Sequence, residues 1–146
     1  MNAQQIFDTA VKGVLDQGCA SVNEQVACVL RGENDAKCAI GCLIPDEAYE
    51  ESMEEDAAIS SYSNPFGEFD ETAIGVFVDR DFGKAVRDAI GEITSDKMAL
   101  MYALQTAHDE NFYCERSRAE AFGEVATRFG LSAKVIDDWA AKKEAV

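Results

Sequence analysis

Between residues 38 and 79 the chain carries eleven acidic side chains and no Lys or Arg. A stretch with one sign of charge cannot neutralise itself by local ion pairs. It has to lie in water, be held by bases elsewhere in the chain, or face a basic partner. The rest of the molecule is nearly balanced: residues 1–37 and 80–146 each carry a net charge of −2, so −11 of the total −15 sits here. The densest part is Asp46-Glu47-Ala48-Tyr49-Glu50-Glu51-Ser52-Met53-Glu54-Glu55-Asp56. Such a cluster repels nucleic acid and membrane phosphates and attracts basic protein surfaces or cations. The competing reading is a solvated face that only keeps the protein in solution.

A length of 146 residues, 47% of them apolar, fits a single domain over 1–146 with an ordinary core. No apolar run approaches a membrane span, and the start Met1-Asn2-Ala3-Gln4-Gln5 lacks the basic and apolar parts of a signal peptide. The expected location is therefore the cytoplasm, with no membrane partner. Five scattered cysteines, Cys19, Cys28, Cys38, Cys42 and Cys114, argue for reduced thiols rather than a disulfide scaffold.

Helical periodicity dominates both ends. Residues 2–17 place Ile6, Phe7, Ala10, Val11, Val14 and Leu15 on one stripe, with an Asn2/Gln5 capping box and Gly18 as the stop. Residues 82–90 and 95–109 predict further helices, the second with Ser95 as N-cap and Met98, Met101, Tyr102, Leu104, Gln105 and His108 inward. Residues 117–129 predict another, opened by a Ser117/Glu120 capping box. The middle reads differently. Residues 26–45 predict an antiparallel β-hairpin, with strand formers Val26 to Leu30, the turn Gly32-Glu33-Asn34-Asp35, and a return strand that Pro45 ends. Residues 74–78, Ile74-Gly75-Val76-Phe77-Val78, are the candidate third strand. Residues 46–56 predict a short acidic helix with Tyr49 and Met53 inward, and 60–71 a loop anchored by Phe66 and Phe69. The expected fold class is α+β: a mainly helical single domain with a short antiparallel β-hairpin or small sheet and a helix-turn-helix-like C-terminal corner.

That corner is Ala126-x-x-Phe129-Gly130-Leu131-Ser132-x-x-x-Ile136-x-x-Trp139. The small residue permits close crossing, the glycine a positive-φ turn, and the serine a cap. Its second helix presents Lys134 beside Asp137 and Asp138, with Lys142 and Lys143 beyond, which opposes phosphate binding. Direct nucleic-acid binding is not expected. Cys28, Cys38 and Cys42 with His108 or Cys114 could supply four zinc ligands, but no C-x-x-C pair exists, and buried cysteines commonly pack as small apolar groups. Asp79-x-Asp81-x-Gly83 and Glu68-Phe69-Asp70-Glu71 do not fit an EF-hand loop. No cofactor or metal is expected. His108 beside Asp109 has the composition of a general-base pair, yet no nucleophile motif or phosphate-binding loop accompanies it, and a histidine near a helix C-terminus is also favoured by the helix dipole.

The run Lys37-Cys38-Ala39-Ile40-Gly41-Cys42-Leu43-Ile44-Pro45-Asp46, with the Ile6-Phe7-Asp8 helix and the later Leu104-Gln105-x-x-His108-Asp109, resembles the signature of a family of small phage- and prophage-encoded proteins. The resemblance implies origin and carries no activity or catalytic residue. With the acidic stretch, it leads to the expectation of a phage-derived interaction protein that binds a basic host protein, one form being a defence inhibitor that mimics nucleic acid. Glu50, Glu51, Glu54, Glu55 and Asp56 are the expected contact residues, with no catalytic residue. Two rivals stand beside it: a small hydrolase-like enzyme using His108 and Asp109, and a DNA-binding regulator using the C-terminal corner.

Overall fold

The computed structural model describes residues 1–145. Six α-helices frame it: α1 Ala3–Gln17, α2 Glu71–Asp79, α3 Asp81–Ile90, α4 Ser95–Glu110, α5 Glu115–Phe129 and α6 Lys134–Glu144. The long segment from α1 to α2 is irregular backbone with short 3-10 turns.

Helix α1 forms where its sequence dictates. Asn2 and Gln5 close the capping box, and Gly18 takes the left-handed conformation (φ 76°) that ends the helix. The stripe from Ile6 to Leu15 is buried along its whole length. Each large apolar side chain so placed stabilises the fold by roughly 1.5–3 kcal/mol relative to exposure. Around this stripe pack α4, α5, α6 and the turn Gly41–Leu43. Gly13 lets that turn close in, since a methyl group there would stand 2.6 Å from the Cys42 sulfur.

Helices α2 and α3 meet at a sharp corner through extended Arg80. Gly83 makes the corner possible, because a Cβ there would lie 1.8 Å from the Phe77 carbonyl oxygen. Phe77 stacks edge-on against Tyr62 at 5.1 Å and Phe82 at 5.5 Å between centroids. At the C-terminal corner, Gly130 is left-handed (φ 66°), and Ser132 exchanges two backbone hydrogen bonds with the Gln4 side chain of α1 (2.8 and 3.0 Å). Val135, Ile136 and Trp139 of α6 are only half-buried.

The expected α+β class is overturned: among the described residues there is no sheet, only the isolated antiparallel bridges Val22–Cys28 and Arg31–Lys37. The chain does reverse at residues 33–35, but it forms no ladder. Asn23 accepts from the amides of Gln25 and Ala27, and the turn so formed holds Val26 at φ 61°, a left-handed conformation foreign to a strand. Farther along, the amides a ladder would use are taken by side chains. Glu54 accepts from Leu30 and Arg31, Gln17 from Lys37, and Gln105 from Ile40. The supposed third strand is α2, capped by Asp70 on the Ala73 amide and buried through Ala73 and Phe77 one helical turn apart. Phe69 anchors its loop as expected, whereas Phe66 is 85% exposed.

No described helix is long and apolar enough to cross a membrane.

Candidate functional site

The expected acidic helix over 46–56 is replaced by two 3-10 turns, Asp46–Ala48 and Glu51–Asp56. An α-helix would stack Asp46 on Glu50, Glu47 on Glu51, Glu50 on Glu54 and Glu51 on Glu55, four like-charge pairs at i,i+4 spacing. The turn Glu51–Asp56 buries Met53 as its anchor.

The segment is fastened by one arginine and one glutamate. Arg31 donates to the carbonyls of Gly41 (2.9 Å), Ile44 (2.8 Å) and its neighbour Leu30 (3.3 Å), and lies 4.7 Å from the centre of the Tyr49 ring. Glu54 accepts from the amides of Leu30 (2.8 Å) and Arg31 (3.1 Å) and from the Tyr49 hydroxyl (2.7 Å). Burial, together with the Glu54 carboxylate, pushes the Tyr49 hydroxyl above its ordinary pKa. Asp46 pairs with Lys37 at 2.9 Å and Arg31 at 3.4 Å, and these cations hold its carboxyl below the usual range. No sequence pattern singled out this knot.

The five expected contact residues therefore divide. Glu54 is half-buried and spent on the fold, and Asp56 is half-buried, its backbone carbonyl taken by the Tyr62 hydroxyl (2.7 Å). Glu50, Glu51 and Glu55 are exposed beside exposed Glu47, and none of the four has an ion-pair partner among the described residues. Glu51 and Glu55 line an open groove with Asn23, Val29 and Tyr49.

His108 occupies a second site, sealed from solvent. Its Nε2 accepts the Ser21 amide at 3.0 Å, which fixes the proton on Nδ1, where it is donated to Asp109 Oδ1 at 2.9 Å. Gln105 donates to the same carboxylate oxygen at 2.6 Å while accepting from the Ile40 amide. Nε2 thus holds the loop at Ser21 onto α4, while Nδ1 orients Asp109, whose partner Gln105 holds the loop at Ile40. A cavity of about 240 Å³ lies in front, lined by Cys28, Cys38, Glu54, Tyr102, Gln105 and Asp109, with His108 behind its wall. A hydrolase needs a base that can reach its substrate's proton, and this histidine does not present one.

Among the described residues, Cys28, His108 and Asp109 are the only His, Cys, Asp or Glu trio whose ligand atoms lie within 4.8 Å of one another. Metal-bound histidines donate through the second ring nitrogen. Here that nitrogen must accept from Ser21, so a cation at Nδ1 would break the Ser21 bond or demand an imidazolate. Burial, with Asp109 adding to it, pushes the Cys28 thiol of the metal-free protein up to about 12. The trio does not fit a metal. The Cys28, Cys38, Cys42 set that could have supplied zinc ligands does not come together among the described residues.

In the C-terminal corner, Lys134 pairs with Asp138 at 2.7 Å, and Lys143 pairs with Glu115 while lying 5.3 Å from the centre of the Trp139 ring. Two of the three lysines available for phosphate are thus engaged internally. No known family model, curated protein or solved structure matches the chain.

Proposed function

We propose that the chain is an acidic interaction protein of phage origin, working in the host cytoplasm, which docks Glu50, Glu51 and Glu55 against a basic surface of a host protein. The observation that carries this reading is the split within the acidic segment. Glu54 and Met53 are turned inward and exposed Asp46 is paired with Lys37 and Arg31, while Glu50, Glu51 and Glu55 are exposed with no ion-pair partner among the described residues. A fixed row of unpaired carboxylates speeds encounter with a cationic surface, and the attraction weakens with salt. Duplex DNA carries one charge per roughly 1.7 Å, so a basic protein that normally grips phosphates is the class of partner such a row fits. Nucleic-acid mimicry by a defence inhibitor is the specific form proposed.

The test is capture of partners from host lysate, elution by salt and by excess duplex DNA, and repetition with Glu50→Lys, Glu51→Lys and Glu55→Lys combined. The expected result is a basic protein released at moderate salt and by DNA, bound at least tenfold more weakly by the triple variant, whose urea midpoint stays that of the parent. A partner held equally well by the triple variant would remove this face from the account. One released by salt but not by DNA would remove the mimicry.

A further inference from the structure

The cavity in front of His108 is charged in one sense only. Glu54 and Asp109 are the acidic residues in its wall, and no Lys, Arg or His lines it among the described residues. Its two thiols are neutral, because burial pushes both Cys28 and Cys38 upward. His108 behind the wall is neutral as well, since its Nε2 accepts the Ser21 amide. Arg31 does not compensate from outside. Its guanidinium is given to the carbonyls of Gly41 and Ile44 and to the Tyr49 ring, and among the described residues it pairs with Asp46 and not with Glu54. Carboxylates in a recess with low-dielectric walls focus their field into it and draw in a cation.

Both carboxylates keep capacity to accept. A carboxylate offers about four lone-pair sites. His108 and Gln105 both donate to Asp109 Oδ1, at 2.9 and 2.6 Å, and Oδ2 has no hydrogen-bond or ion-pair partner among the described residues. At Glu54, Oε2 takes the Arg31 amide and the Tyr49 hydroxyl, while Oε1 takes the Leu30 amide alone. Asp109 is held in place from behind: His108 is wholly buried, and Gln105 is pinned by the Ile40 amide. Much of the remaining wall is apolar, with Val29, Leu30 and Ile59. The cavity holds about 240 Å³, against the roughly 150 Å³ of one that takes benzene, so a ligand of about six to ten non-hydrogen atoms fits.

We propose that this cavity binds a small primary amine with a short aliphatic body, its ammonium group anchored by Asp109. An ammonium is a compact positive charge with three donors, and it finds open acceptors on Asp109 and Glu54. The alkyl chain then lies along Val29 and Ile59, out of water. An alcohol of the same shape brings one donor and no charge, and an anionic ligand meets two charges of its own sign. His108 and Gln105 are positioning residues, which hold the carboxylate without touching the ligand's charge themselves. None of Glu50, Glu51 and Glu55 lines the cavity, so the site does not depend on the acidic face.

The experiment is titration of the isotope-labelled full chain with pentylamine, and with pentanol as the neutral isostere, at physiological ionic strength, read by amide chemical shifts. Pentylamine should move the Ala58, Gln105 and Thr106 amides to saturation with a Kd of about 1 mM or below, and pentanol should bind about tenfold more weakly or worse. Asp109→Asn keeps an oxygen for His108 and Gln105 while removing the charge, and should weaken the amine about tenfold with unchanged helical circular dichroism. Ala58→Leu fills the cavity without touching Asp109 and should abolish the saturating shifts, which keeps the test decisive if the asparagine variant does not fold. Glu50→Gln, Glu51→Gln and Glu55→Gln combined should bind the amine within about twofold of wild type, since salt screens exposed charges. The proposal is overturned by shifts that do not saturate at these amides, by pentanol binding equally well, or by full binding in folded Asp109→Asn or in Ala58→Leu. Loss of the amine in the triple glutamine variant also overturns it and assigns the amine to the open acidic face.

Discussion

Replacing Glu54 with alanine should destabilise the protein by about 3 kcal/mol, although it removes a charge from an overcrowded acidic segment. Simple electrostatics predicts the opposite sign, since a chain of net charge −15 gains by losing one. The structure gives the larger opposing effect. Glu54 accepts three hydrogen bonds, and bonds to a charged acceptor contribute roughly 1.5–3 kcal/mol each. The Leu30 amide belongs to a residue 1% exposed and is left without an acceptor. The Arg31 amide and the Tyr49 hydroxyl lie nearer water and recover part of their loss, which brings the sum down to about 3 kcal/mol. For a chain of this size that is roughly 10 °C in Tm. Glu54→Gln should fall between, because its amide oxygen keeps one bond while its NH2 confronts a donor. The assay is urea denaturation followed by circular dichroism, with an unchanged m value as the check on two-state behaviour. Glu55→Ala, one residue on and exposed, is the control and should stay within about 0.5 kcal/mol of wild type. A loss at Glu54 below about 1 kcal/mol, or one equal to that at Glu55, refutes the reasoning.

Two glycines should respond in opposite directions. Gly83→Ala forces a methyl group into the Phe77 carbonyl and should cost several kcal/mol in urea melts, while Gly75→Ala, exposed within α2 with no atom within 4 Å of the new carbon, should stabilise by about 0.5–1 kcal/mol. Acid sensitivity should trace Asp46 and Asp70, whose carboxyls are held below their ordinary 3.8 by Lys37 and by the Ala73 amide respectively. A depressed folded value means that their contribution is whole above the unfolded pKa and is lost as pH falls through the folded one. The difference in urea midpoint between wild type and an Asp46→Asn, Asp70→Asn double variant should therefore be constant near neutrality and close below pH about 3.8. A difference that survives at pH 2 contradicts the assignment.

The helices were legible where periodicity and caps agreed. Residues 3–17 carry both, and α3 and α4 began within a residue of their expected starts. The α4 cap is Thr94 rather than Ser95, and α5 opens at Cys114 rather than Ser117, because either neighbour supplies a chain end compatible with the same apolar stripe. The middle misled for a definite reason. Strand propensity at 26–30 and 74–78 measures how well a residue suits a half-buried pleated surface, and that preference gives way when other groups take the backbone. For 74–78 the missed signal was Asp70, a helix cap three residues before Ala73. For 26–45 the acceptors are Glu54 and Gln105, up to 65 residues distant, which no local pattern displays. In the acidic segment, sequence located the carboxylates but could not say which faced inward. That division depends on Arg31 and on two amides of a loop about 24 residues upstream.

Segment 20–45 also has a consequence for anyone who would move it. Its shape is written largely in residues that lie outside it: Gln17 on Lys37, Glu54 on Leu30 and Arg31, Gln105 on Ile40, and His108 on Ser21. A loop grafted from a β-hairpin protein brings its own ladder and keeps its form on a new scaffold. This one would arrive as a string with its clasps left behind. Conversely, a substitution at any of those four acceptors redraws a surface many residues away.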